Sequence, residues 1–250
     1  MRNYVKEIEG NNIIFKDITN NVELSVIHDN DENIFDTIII DNKFNLSFIE
    51  YIVKELRKTN DLAVIYILYD SIDLEKLLNE YGLRVSHYQY IIEYKDIINV
   101  NSYDINANLD NESKKYYLNM INNISMNNNK YFNPNSEYIE FDDTWFNNEF
   151  NYRVYMKNKK IVGVVDYQIF DNNLSSNNIF NYNNKLCIRC LFGEDKEIIE
   201  DIIKDLLDTY KKDISVNITY TDNNLKEVCK KMGKFNYCEY NLVDKQCLKF

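Results

Sequence analysis

Ile214-Ser-Val-Asn-Ile-Thr-Tyr-Thr-Asp-Asn-Asn-Leu-Lys-Glu-Val-Cys-Lys-Lys-Met-Gly-Lys-Phe235 reads as a strand, a polar turn, a short helix that stops at glycine, and a further strand. A helix with Ile198, Ile199, Ile202, Ile203 and Leu206 on one face precedes it. The same succession occurs in the first half of the chain. A helix with Phe48, Ile49, Ile52, Val53 and Leu56 leads to a strand Leu62–Tyr69. A short helix Asp73–Tyr81 then stops at Gly82, and a strand Val85–Tyr94 follows. Ile49 maps to Ile199, Leu74 to Leu225 and Gly82 to Gly233, so one supersecondary unit is used twice.

The rest of the chain fits around these two blocks. Strands are expected at Asn12–Ile18, Val22–Ile27 and Phe35–Ile40, and a polar connector at Ile97–Asp110. A helix over Asn111–Ser125 carries Tyr117, Leu118, Ile121 and Ile124 at helical spacing. A turn around Pro134 follows, then a short helix Phe141–Phe150 holding the sole tryptophan, Trp145. The strands Tyr152–Met156 and Ile161–Phe170 are joined by the tight turn Lys157-Asn-Lys-Lys160. Strand Leu186–Phe192 then leads into the repeat helix. Tyr88, Tyr90, Ile92 and Tyr94 alternate onto one face of their strand, a stripe that covers a helix or lines a pocket.

Composition excludes more than it selects. Hydrophobic residues make up 45% of 250, enough for a sizeable folded core. No apolar run approaches the ~20 residues that cross a bilayer, and the start of the chain has no signal-peptide core, so a cytoplasmic protein is expected. The net charge of −11 argues against nucleic-acid or anionic-membrane partners. The lysine clusters Lys157, Lys159, Lys160 and Lys230, Lys231, Lys234 are either solvated turns or a clamp for an anionic cofactor. The five glycines are scattered, which removes dinucleotide fingerprints and P-loops, both of which need closely spaced glycines. Five cysteines and two histidines give no metal-ligand spacing. Cys187 and Cys190 sit on an expected strand, where residues three apart face opposite ways. No metal is expected.

The order of elements from about Asn111 to the end resembles the GNAT superfamily of acyl-CoA-dependent N-acyltransferases. The residues that carry the likeness are the hairpin 152–167, the strand-to-helix step Leu186-Cys-Ile-Arg-Cys-Leu-Phe-Gly-Glu-Asp-Lys-Glu-Ile-Ile199, and the closing segment 221–235. Gly163 falls where that family often has a glycine after an aliphatic pair. The first half looks like a shortened copy, strongest at Leu74–Leu83. The resemblance implies an α+β fold of two GNAT-like lobes, each a mixed, mostly antiparallel sheet flanked by helices. It divides the chain into an N-terminal half domain (1–98), a connector (99–110) and a C-terminal domain (111–250).

It also implies acetyl transfer from acetyl-CoA or another acyl-CoA to the primary amine of a small molecule or peptide, by direct attack on the thioester. The cofactor would lie between strands Leu186–Phe192 and Ile214–Tyr220, held by Ile188, Arg189, Cys190, Gly193, Glu194, Asp195, Lys196 and Asn224. Two departures stand out. The loop that holds the pyrophosphate in the family keeps only Gly193, and Glu194, Asp195 and Glu197 repel phosphate at close range. The position of the usual tyrosine proton donor is Cys229, or Leu78 in the first copy, and the nearest acidic candidate for a base is Asp166. These departures favour the alternative, a GNAT-like binding or regulatory module without catalysis.

Overall fold

The computed structural model describes residues 3–9, 12–27, 36–59, 63–95, 101–132, 140–146, 149–170, 184–219 and 221–242. The protein is an α+β fold with a mixed sheet, and its packing divides into two units, 1–86 with 237–250, and 87–236.

In the first unit, β1 (Tyr4–Glu9), β2 (Asn12–Asp17) and β3 (Val22–Ile27) form an antiparallel sheet. Strand β4 (Asp36–Ile40) runs parallel to β5 (Ala63–Ile67), with α1 (Leu46–Thr59) as the crossover between them. Phe48, Ile49, Ile52 and Val53 are buried, the apolar stripe that the sequence spacing marks out. Asn45 starts α1: its Oδ1 accepts the Phe48 N–H at 3.0 Å while its Nδ2 donates to Asp17 at 3.0 Å. Helix α2 (Ile72–Glu80) is capped by Ser71 and followed by Gly82 at φ 73, whereas Gly233, its counterpart in the repeat, is extended.

In the second unit the sheet order is β6 (Leu83–Ile92), β11 (Asp213–Thr219), β10 (Lys185–Gly193), β9 (Lys160–Phe170), β8 (Asn151–Lys157) and β7 (Asp104–Asn106). Only β10 and β11 pair in parallel, and the other neighbours are antiparallel. Helix α4 (Lys196–Tyr210) buries Ile199, Ile202, Ile203 and Leu206. Helix α5 (Asn223–Met232) buries Leu225, Val228 and Cys229. The β8–β9 turn puts Asn158 and Lys159 at φ 53 and 65, the pair of left-handed residues that a two-residue hairpin requires.

The repeat is legible as elements but not as pairing. Strand β6, which follows α2, hydrogen-bonds through His87–Ile92 to β11 of the second block. Strand β12 (Lys234–Leu242), which follows α5, pairs through Asn241–Cys238 with β5 of the first. Each unit thus takes a strand from the other half of the sequence, which is why packing groups 237–250 with the N-terminal residues.

Several local expectations change. Strand β1 was not anticipated, because Tyr4–Glu9 alternates weakly. The connector contains β7, paired with β8. Helix α3 (Asn111–Phe132) runs past Ser125, and the residues around Pro134 lie outside those described. Among the described residues of the expected helix 141–150 the helical part is a 3₁₀ turn, Asp143–Trp145, capped by Asp142. The tyrosine stripe on β6 is core: Tyr88, Tyr90 and Ile92 are buried, with the Lys226 ammonium 3.5 Å from the Tyr88 ring centre.

Candidate functional site

Strands β10 and β11 pair from Lys185 and Asp213 to Ile188 and Val216 and no further, although β10 runs on to Gly193 and β11 to Thr219. A bulge between Ile188 and Cys190 interrupts the β10–β9 register at this point and leaves Arg189 as the extra residue. Past it lies a cavity of about 300 Å³ bordered by both strands: Arg189, Cys190, Leu191 and Phe192 on one side, Asn217 and Thr219 on the other. Ile121 and Ile124 of α3, Leu225 of α5, Phe141 and Trp145 complete a largely apolar wall.

A buried polar network stands behind Arg189. The Asp166 carboxylate, 0% exposed, accepts from Tyr117 Oη (2.6 Å), Arg189 Nε (2.7 Å) and the Cys190 N–H (2.7 Å). Trp145 Nε1 donates to Tyr117 Oη at 3.2 Å. The Arg189 guanidinium is sandwiched by aromatic rings, 3.7 Å from the centre of Phe150 and 4.2 Å from that of Trp145. Burial pushes the Asp166 carboxyl up, and Arg189, Tyr117 and the Cys190 amide pull against it. Asp166 is therefore neither a solvent-facing strand residue nor part of the cavity wall; it orients Arg189 and Tyr117.

The bulge also corrects the reading of the cysteines. Cys187 stands opposite Gln168 and Cys190 opposite Asp166, so both thiols share one face of β10. Among the described residues no cluster of three or more His, Cys, Asp or Glu is placed to hold a metal. Burial pushes the Cys187 thiol up to about 12, and burial with the Asp166 charge raises Cys190. Cys229 is fully buried on α5, its thiol pushed up to about 12 by burial and by Asp222. It does not line the cavity.

Of the residues expected to hold a cofactor, Arg189 and Cys190 line the cavity and Ile188 is the last paired residue before it. The others lie elsewhere. Gly193 sits directly opposite Gly163 across β10 and β9. A Cβ on Gly193 would come within 2.8 Å of Ile199 Cγ1, and one on Gly163 within 2.6 Å of Ile202 Cδ1. The two glycines let α4 settle onto the sheet. Asn224 is exposed in the first turn of α5.

The start of α4 is capped by Asp195. Asp195 Oδ1 accepts the Ile198 N–H at 2.9 Å, and the Asp195 carbonyl accepts Ile199 N–H at 3.2 Å. The Glu194 N–H donates to Val162 O at 2.9 Å, and its carboxylate pairs with Lys160 at 2.6 Å. Lys196 is paired with Glu227, Lys231 with Glu200 at 2.7 Å, and Lys234 with Glu93. A diphosphate at this helix end would meet the Glu194 and Asp195 carboxylates, with the Ile198 amide already taken by Asp195. The carboxylates at this helix end do not fit the diphosphate of a coenzyme.

The residues that sequence reasoning missed come from outside the strand-to-helix loop. Trp145 reaches the cavity from the 3₁₀ turn and Phe141 from just before it, and Asn217 and Thr219 line it from the part of β11 beyond its pairing with β10. Asp222 is the cap of α5: its Oδ1 accepts the Leu225 N–H at 3.1 Å, and it too lines the cavity. Burial pushes its carboxyl up, opposed only by that N–H. The sequence signal was present, since Asp222 opens a short helix just after a strand; its exposure to a cavity was not.

No family model matches the sequence, and no curated protein matches it. Similar solved structures include a functionally unknown conserved protein from Staphylococcus epidermidis, 11% identical over 98% of this chain and 95% of that chain, with a TM-score of 0.46. A GCN5-related N-acetyltransferase from Sphaerobacter thermophilus is 7% identical over 94% of this chain and 81% of that chain, with a TM-score of 0.45. An acetyltransferase from the GNAT family of Colwellia psychrerythraea is 9% identical over 94% and 86%, with a TM-score of 0.44.

Proposed function

We propose that the 87–236 unit is an N-acyltransferase of the GNAT class, acting on a primary amine, within a tandem arrangement whose N-terminal copy is shortened and degenerate. The observation that carries this reading is the parting of two parallel strands, β10 and β11, over a cavity lined by both. The facing edges of β10 and β11, unpaired with each other past Ile188 and Val216, offer backbone N–H and C=O groups to an extended amide-bearing arm, and the apolar wall excludes water from an acyl group. The donor is an acyl thioester, acetyl-CoA or another acyl-CoA among them, held by its acyl end. Arg189, fixed by Asp166, Trp145 and Phe150, is the rigid cationic group at the cavity.

A second reading, a GNAT-like binding module without turnover, is favoured by one observation: Asp195 occupies the helix end where a diphosphate would sit. The test incubates the protein with phenethylamine and either acetyl-CoA or S-acetyl-N-acetylcysteamine, a thioester without diphosphate, and looks for the N-acetyl product by mass spectrometry. Product above the uncatalysed background supports the transferase. Its absence with both donors overturns it in favour of the binding module.

A further inference from the structure

We infer that Asp222 makes the cavity in the 87–236 unit a site for a protonated primary amine with an apolar or aromatic body. This deepens the acyltransferase reading and rests on it for the amine's role as acceptor, while the binding itself is argued from the cavity alone.

Asp222 brings a carboxylate to a wall otherwise made of Ile121, Ile124, Leu225, Phe141 and Trp145. One carboxylate oxygen is engaged by the Leu225 N–H, and among the described residues no Lys or Arg forms an ion pair with Asp222. Half-buried and held by one backbone donor, the carboxylate has acceptor capacity to spare, which an ammonium with three N–H groups can fill. Burial raises its carboxyl, and an entering cation would favour the ionised form.

The surrounding charges agree. Arg189 also lines the cavity, but Asp166 already neutralises it, so Asp222 carries the uncompensated charge. The groups that feel Asp222 are the Cys190 thiol on β10 and the Cys229 thiol on its own helix; Asp222 raises both, so neither brings a competing anion. Trp145 and Phe141, with ring centres 4.6 Å apart, give the cavity apolar surface for the body of such an amine. A carboxylate in the wall of a largely apolar pocket is the arrangement that selects an arylalkyl or alkyl ammonium over a neutral molecule of the same shape.

The sole tryptophan lies in the cavity wall, so its fluorescence reports occupancy directly. Phenethylamine and 2-phenylethanol, alike in shape and different in charge, are titrated at neutral pH against the wild type and Asp222→Asn. Asparagine keeps the cap on α5, and an unchanged melting temperature confirms the fold. The amine is expected to bind the wild type roughly tenfold or more tightly than the alcohol, and Asp222→Asn to erase that preference. No saturable response to the amine, equal affinity for both molecules, or a preference that survives Asp222→Asn would each overturn the inference. Acetyl transfer to phenethylamine is scored separately. A charge preference without product leaves the amine site and sinks the transferase; product with the preference unaltered in Asp222→Asn does the reverse.

Discussion

Two shielded aspartates, one in each unit, have opposite fates. Asp17, 1% exposed, accepts from Thr19 and Asn20 N–H groups, Asn20 Nδ2 and Asn45 Nδ2. Burial alone would push its carboxyl up, but these donors outweigh it and hold the group below the usual carboxylate value. Asp222 has one backbone donor, and burial leaves its carboxyl raised. The first is a fastener between a β-turn and the cap of α1; the second keeps bonding capacity in reserve beside a cavity. The number of donors each carboxylate gathers separates the structural aspartate from the one beside the cavity.

The largest effect belongs to a third aspartate, which marks the paired extreme. Arg189→Met should cost about 3 to 5 kcal/mol in urea denaturation, because Asp166 would be left buried without its cation. A cost below about 1 kcal/mol would mean that Asp166 is not held ionised by Arg189. Asp17→Ala should cost about 2 to 3 kcal/mol by orphaning the Asn20 and Asn45 amides. Asp222→Asn should stay within about 0.5 kcal/mol of the wild type, since the cap persists and a poorly satisfied charge is removed.

The pH dependence should invert between the two sites. The ordinary aspartate value lies near ~3.9. The stabilisation from Asp17, whose native value is lowered, is present above that point and lost as pH falls through the native value. The contribution of Asp222, whose native value is raised, is present below the ordinary value and lost as pH rises through the native one. Denaturation of Asp17→Asn and Asp222→Asn across the acid range should therefore give difference curves of opposite slope. Curves of the same slope would remove the contrast. The smallest effect is at α4, where Asp195→Ser keeps a capping oxygen and removes the charge. Stability should change by less than about 0.5 kcal/mol, and calorimetric affinity for free CoA should rise several-fold.

The sequence carried much of the fold and only the frame of the site. Helical spacing placed α1, α4 and α5, because each buries one regular face, and the tight turn Lys157–Lys160 marked the hairpin of β8 and β9. The exchange of β6 and β12 was beyond it, since either strand offers the same apolar alternation to either partner. The parting of β10 and β11 was anticipated from the resemblance, but its local agent was not. A bulge at Arg189 leaves no mark in hydrophobic pattern, and the same bulge undid the reasoning about Cys187 and Cys190. Asp166 looked like a strand-end residue because its partners, Tyr117 and Arg189, are distant in sequence. The acidic loop at Glu194 and Asp195 was legible, and the structure adds that Asp195 caps α4 and that Glu194 pairs with Lys160.

The central claim is that the second unit holds a thioester by its acyl end in the β10–β11 cavity, with nothing to offer a diphosphate at α4. Calorimetric titration of the wild type with acetyl-CoA and with S-acetyl-N-acetylcysteamine tests it most directly. The account predicts dissociation constants for the two donors within about threefold of each other, ~0.7 kcal/mol. Acetyl-CoA binding a hundredfold more tightly, or neither donor binding at all, would contradict it.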